Sequence, residues 1–294
     1  MKKTVRIGTR KSKLALVQTD LVIKTIKQVH SDIDIQLVPM TTAGDKILNK
    51  ALDDFGGKGA FISEFEDALL SGKIDLAVHS AKDMPVTLPD GLNILAVSQR
   101  EDIRDVLVTK KGFPLKEGGI VGTSSLRRSL QIKELYNVQT KSLRGNVETR
   151  LLKLKNKEYD AIILAAAGLK RLNLLEREEF RFEFLNEDMF IPAAGQGIIA
   201  VEGRKEEFLS RLLSPFHHIQ SMYCLETERE VLKLLNAGCN TPIGVYASIH
   251  NDRITLSIAY PYKNKMMRKK ESAAIKDRFL LAQDFVRKIR GEYE

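Results

Sequence analysis

Apolar and polar positions change period several times along the chain. TVRIGT alternates as a strand does; Ser12 then stands where a helix cap belongs, ahead of Leu14, Val17, Leu21 and Ile26 at helical spacing. IDIQLVPM predicts a second strand and ISEFEDALLSG a helix ending at Gly72. IDLAVHSA predicts a buried strand running into Lys82-Asp83-Met84-Pro85, and LNILAV a further strand. TTAGDKILNKALDDFGGKGAF lacks a period and brings three glycines close together, which reads as a mobile loop. Past REDIRD the pattern restarts: GGIVGTSSLRRSLQIKEL, VQTKSLRGNVETRLLKL and YDAIILAAAGLKRL each read strand, turn, helix. Such alternation argues an α/β architecture with mainly parallel sheets.

GIIAVEG reads as a strand that returns to the first sheet, and two such crossings between lobes make a hinged cleft. The tail differs. VYASIHNDRITLSIAY is a hairpin turning at Asn251-Asp252, followed by a charged strand and the helix DRFLLAQDFVRKIR, a small α+β unit. The expected division is 1–98 with 198–216, then 102–192, then 220–294; 294 residues suit two or three cores.

Composition is ordinary for a globular chain, but Lys plus Arg exceeds Asp plus Glu, 47 against 38, a formal charge of +9. That excess suits an acidic partner. The densest basic cluster, MMRKKES, is short, and no reading helix or exposed aromatic series accompanies it, so a nucleic-acid partner is not expected. The arginines fall instead at strand-to-helix junctions. GTRKS, GTSSLRRS, LRGNVETR and AGLKRL supply Arg10, Ser12, Thr123, Ser124, Ser125, Arg127, Arg128, Arg144, Arg150 and Arg171. A lone arginine is more often a solvated helix residue than a ligand contact. Recurrence at the carboxyl ends of strands, where α/β sheets bind ligands, points to a site for several carboxylates at once.

The two cysteines differ in setting. Cys224 lies in the apolar helical stretch SMYCLETERE and reads as core. Cys239 follows ETEREVLKLL within LNAGCNTPIG, where Gly238 offers a left-handed helix end and Pro242 prevents a restart. A thiol on such a loop is either structural or a nucleophile or attachment point. The N-terminal residues show no charged-then-apolar signal and no apolar run approaches a membrane span, so free thiols in a reducing cytoplasm are expected. His217-His218 lack a CxxC or HxxxH companion, and no metal site is expected. Gly195-Gln196-Gly197 leads into a strand rather than from strand to helix, against a dinucleotide loop, and no Ser or Thr follows Lys58 in GGKGAF, against a phosphate loop.

HSAKDMP, VGTSSLRRS, LRGNVETRL, DAIILAAAGLKRL, PAAGQG and the cysteine loop together closely resemble the porphobilinogen deaminase family, also called hydroxymethylbilane synthases, in the family's order and over most of the chain. One departure is visible: the family often has two glycines before the cysteine, where this chain has Ala237-Gly238.

The resemblance implies an α/β fold of two periplasmic-binding-protein-like lobes with a hinged cleft, plus a small α+β C-terminal domain. It implies a dipyrromethane cofactor bound through a thioether at Cys239, serving as primer for four porphobilinogen units. Each unit is added head to tail with loss of ammonia, and water releases linear hydroxymethylbilane. Asp83 takes the catalytic role. Arg10, Ser12, Lys82, Arg127, Arg128, Arg144, Arg150 and Arg171 bind cofactor or substrate carboxylates, with Thr123, Ser124 and Gln196 beside them. The glycine-rich loop, with Asp45, Lys58 and Phe61, becomes an active-site lid. A cytoplasmic monomer without membrane or nucleic-acid partner is expected. Two rivals stand beside this reading. A non-catalytic anion binder would share the fold but need neither the loop thiol nor Lys82-Asp83. A nucleic-acid binder would share the charge, and its binding would weaken steeply with salt.

Overall fold

The computed structural model describes residues 4–41, 63–238, 241–263 and 265–293. The chain forms two compact units, Met1–Glu101 with Ile198–Met222, and Asp102–Gly197 with Tyr223–Glu294.

The first unit is built on a five-stranded sheet. Its strands are β1 (Thr4–Arg10), β2 (Asp34–Met40), β3 (Leu76–Ser80), β4 (Leu92–Val97) and β10 (Ile199–Arg204), in the order β2-β1-β3-β10-β4. β1 pairs in parallel with β2 and β3, whereas β10 runs antiparallel to both its neighbours. GIIAVEG therefore does return to the first sheet, as the one reversed strand. One face, with Val5, Ile7, Leu76, Val78, Ile199 and Val201, packs on helices α1 (Lys13–Val29) and α6 (Glu207–Leu213). The other face packs Ala77 against Phe65 and Leu69 of α2 (Ser63–Leu70). Gly8 lies beneath α2, where an added Cβ would stand 2.6 Å from Ile74 Cδ1 and 3.2 Å from Phe65.

Ser12 caps α1, accepting a hydrogen bond from the Ala15 amide, worth about 1 kcal/mol. The buried face of α1 differs from the expected stripe. Gln18, Thr19, Val22 and Ile26 are buried, while Leu21 is 41% exposed. Two of the buried positions are polar because partners wait there: Thr19 donates to Thr9 Oγ1 at 2.7 Å, and Gln18 donates to Ser80 Oγ at 2.9 Å.

The second unit repeats the sheet pattern. Its strands are β5 (Asp105–Lys110), β6 (Ile120–Gly122), β7 (Gln139–Lys141), β8 (Ala161–Ala165) and β9 (Phe180–Phe184), ordered β7-β6-β8-β5-β9. β6, β7 and β8 are parallel, and β5 runs against β8 and β9. β5 and β9 are not anticipated by the strand-turn-helix reading. Helices α3 (Leu126–Leu135), α4 (Val147–Lys155) and α5 (Ala166–Arg171) follow β6, β7 and β8.

Helix α7 (Ile219–Leu234) leads to the hairpin β11 (Gly244–His250) and β12 (Arg253–Tyr262), then β13 (Lys265–Ala274) and α8 (Arg278–Tyr293). Asn251 takes a φ of 52° at the hairpin turn, as Asn-Asp predicts. Cys224 is buried in this core with Val231, Val245 and Phe285. The end of α7 departs from expectation. Asn236, not Gly238, adopts the left-handed conformation, with φ 50°, and the Ala237 amide donates back to Leu232 at 2.8 Å. Gly238 instead donates to Thr241 Oγ1 at 2.9 Å.

Candidate active site

Strands β1 and β3 lie side by side and parallel, so their carboxyl ends leave the first sheet at one edge. Arg10 is the last residue of β1, and Ser12, the cap of α1, stands two residues on. β3 ends at Ser80, and a 3-10 turn over Ala81–Asp83 carries Lys82, half-buried, and Asp83, exposed. The backbone of this turn is held by β10, since the Ala81 amide donates to the Ile198 carbonyl at 3.0 Å. Gln18 and Ser80 exchange side-chain hydrogen bonds at 2.9 and 3.2 Å, tying α1 to the start of the turn.

In the second unit the parallel ends of β6, β7 and β8 likewise share an edge. Thr123, buried, accepts from the Ser125 amide at 3.2 Å, and Ser125 caps α3 through the Arg128 amide. Ser124 donates to the Leu143 carbonyl at 2.9 Å and accepts from the Leu143 amide at 3.1 Å, joining the loops that follow β6 and β7. Arg144, half-buried, lies in the second of these loops. Arg150 on α4 donates to the Gly145 carbonyl at 2.7 Å, and Arg171, closing α5, donates to the Gly197 carbonyl at 2.7 Å.

Arg127 and Arg128 do not point to solvent; they are 4% and 7% exposed. Both meet Asp105, which the reversed direction of β5 brings to the same edge, opposite Ala165. Arg128 donates to Asp105 Oδ1 at 2.6 Å and to the Ile163 carbonyl at 3.1 Å. Arg127 Nη1 lies 2.8 Å from Asp105 Oδ2, but its hydrogen bond, also 2.8 Å, goes to the Ile191 carbonyl. Its contact with Asp105 is thus one of charge. Burial pulls the Arg127 pKa below its ordinary value, opposed by Asp105 and reinforced by Arg128. Gln196, fully buried, donates to Asp105 Oδ1 at 3.0 Å and to the Ile103 carbonyl at 2.7 Å. Two guanidinium groups facing one carboxylate leave an excess positive charge at this edge.

Asp105 was invisible to the motif reading, although an aspartate opening the apolar run DVLVTK was a signal. Glu228, within ETEREVLKLL, likewise carries no site signal in the sequence. It is fully buried and accepts from the Gly195 and Ala247 amides, each at 2.7 Å, linking the PAAGQG turn, α7 and β11. Cys239 and the loop positions Asp45, Lys58 and Phe61 lie outside the described residues. Among the described residues no group of His, Cys, Asp and Glu is arranged to hold a metal, and no helix is long and apolar enough to cross a membrane.

Residues 5–210 match the family model described as porphobilinogen deaminase, dipyromethane cofactor binding domain, and 222–290 match the porphobilinogen deaminase C-terminal domain. The chain belongs to the porphobilinogen deaminase family. Its relatives include the porphobilinogen deaminase of Acetivibrio thermocellus, 48% identical over 262 residues, which are 88% of this chain and 88% of the relative. The porphobilinogen deaminase of Shouchella clausii is 48% identical over 257 residues, 86% of this chain and 82% of the relative. Among solved structures, the BvgS periplasmic VFT2 domain of Bordetella pertussis covers 77% of this chain and 90% of its own at a TM-score of 0.45 and 14% identity, a likeness too low to bear on fold or function. All the candidate residues except Cys239 fall within the matched cofactor-binding domain.

Proposed function

We propose that this chain is a hydroxymethylbilane synthase that condenses four porphobilinogen molecules head to tail, with Asp83 as its catalytic acid and Cys239 as the attachment point of dipyrromethane. The residues suit that group. Dipyrromethane carries acetate and propionate side chains, and Arg127 and Arg128 hold more positive charge than Asp105 neutralises. Arg144, Arg150 and Arg171 belong to the segments that follow β7 and β8, with Ser124 tying the Arg144 loop through Leu143, Thr123 accepting from the Ser125 amide and Gln196 held on Asp105. Arg10, Ser12 and Lys82 supply hydrogen-bond donors at the corresponding edge of the first sheet. Guanidinium forks grip carboxylates bidentately, so each edge by itself offers donors suited to carboxylates. When bound, dipyrromethane would supply the pyrrole α-carbon that takes the new bond and gives up its hydrogen as a proton.

Asp83 then has two tasks. It delivers a proton to the aminomethyl nitrogen of porphobilinogen as the C–N bond breaks and ammonia leaves, and its carboxylate offsets positive charge on the pyrrole nitrogen. Its exposure on a short turn at a strand end leaves it open to substrate. That placement, inside the matched cofactor-binding domain, is the observation that carries the reading. The same reading divides the chain into domains at 1–98 with 198–216, 102–192 and 220–294, and has it work as a cytoplasmic monomer. Intact mass of the purified protein, paired with ammonia release from porphobilinogen, tests it. An added mass of two linked pyrrole units on an active enzyme is expected; an unmodified, inactive chain would overturn the proposal.

A further inference from the structure

Behind the Lys82-Asp83 turn lies a pair of titratable side chains to which the reaction assigns no task. His79 precedes Ser80 on β3, and Glu202 sits on the adjacent β10. His79 Nε2 lies 3.1 Å from Glu202 Oε2, with the two side chains 5% and 0% exposed. Phe65 of α2 closes over the imidazole edge-to-face at 5.2 Å. No Arg or Lys among the described residues reaches Glu202, and neither its oxygens nor His79 Nε2 makes a hydrogen bond there. A polar group so enclosed is costly without a polar neighbour, and His79 is the side chain placed against it.

We propose that His79 and Glu202 are positioning residues, whose buried contact fixes the end of β3 and so the direction in which Asp83 leaves the sheet. The argument rests on register. His79 pairs with Ala200 and Glu202 with Ala77, so the contact runs diagonally across β3 and β10 on one face. A slip of one residue would send both side chains to opposite faces, which makes such a contact a pin for register. It sits where β3 ends, one residue before the turn and beside the last backbone bond, from Ala81 to Ile198. Stability alone does not account for it, since an apolar pair of similar volume is usually at least as stable in a core.

The inference rests on Asp83 being the catalytic acid, so Asp83→Asn is assayed beside it. The test variant is His79→Phe/Glu202→Leu, made in the full chain. It should fold with a melting temperature at or above the parent's and carry the same adduct mass. Its kcat for ammonia release should fall at least about tenfold while KM stays within about twofold. Glu202→Gln, which keeps a polar contact to His79, should bring kcat back to within about threefold of the parent. A folded, loaded double variant with parental kcat overturns the proposal, as does a tenfold loss in Glu202→Gln equal to that of the double variant. Should the double variant not fold, Glu202→Met alone takes its place under the same criteria. If Asp83→Asn is fully active, the catalytic reading fails; if it is inactive and the double variant is not impaired, only the positioning role fails.

Discussion

Arg128 and Asp105 meet at 2.6 Å with both side chains buried, and Arg127 lies 2.8 Å from the other oxygen of the same carboxylate. Loss of either arginine is therefore a structural event as well as, on the proposed function, a loss of anion binding. Breaking one side of a buried pair typically costs about 3–5 kcal/mol, because the remaining charge is left uncompensated. Arg128→Leu and Arg127→Leu should each lower the urea midpoint markedly and reduce the fraction of protein carrying the cofactor mass. Arg128→Leu should be the worse, since it removes two hydrogen bonds to Asp105 and one to Ile163. An unchanged midpoint in both variants would refute the shared-carboxylate account.

Asp83→Asn separates chemistry from folding. Asn has the shape and reach of Asp but carries neither the charge nor the acidic proton. Because residue 83 is exposed on a turn, stability should hardly change. Turnover should fall about 10²- to 10⁴-fold, the range for loss of a general acid. Protein supplied with preassembled tetrapyrrole should still show the adduct. Ammonia release near the parental rate would remove Asp83 from the mechanism.

The two thiols should part company. Cys239→Ser replaces the proposed attachment atom with a poor nucleophile, so intact mass should show no adduct and turnover should vanish. Cys224→Ser should keep both. Cys224 is 5% exposed in the C-terminal core, and burying a hydroxyl in its place should cost about 1–3 kcal/mol. An adduct that followed Cys224 would reverse the assignment.

Glu66 predicts a pH dependence. Burial, then the charges of Glu202 and Asp67, push its pKa up to about 7. A carboxyl whose folded pKa is raised binds more protons folded than unfolded. Its contribution to stability is full below the ordinary carboxyl range and is lost as pH rises toward 7. Glu66→Gln, which cannot ionise, should match the parent in melting temperature near pH 4 and exceed it at pH 8. Parallel curves across that range would show that Glu66 does not titrate in this way.

Much of the architecture was legible because it depends on local pattern. Ser12, two residues ahead of Leu14 and its helical period, capped α1 as expected, and Asn251-Asp252 turned the hairpin between β11 and β12. The recurrence of Ser, Thr and Arg after strands marked the edges where candidate residues gather. The end of α7 was less clear. Asn and Gly both tolerate the left-handed conformation, and the choice of Asn236 over Gly238 followed from which amide could reach back to Leu232.

The sequence by itself determined the alternation of strands and helices, the family, and which residue types stand at the strand ends. Tertiary structure decided what those residues meet. The motif marked Arg127 and Arg128 but not their partner, Asp105, which β5, running against its neighbours, brings to them from more than twenty positions away. Gln18 interrupted an apolar stripe until Ser80 proved to lie across from it, and His79 and Glu202 had no visible relation until β10 entered between β3 and β4. Periodicity records which face of an element is buried. It carries no record of which distant element covers that face, and a buried charge or amide is explained only by the partner that covers it.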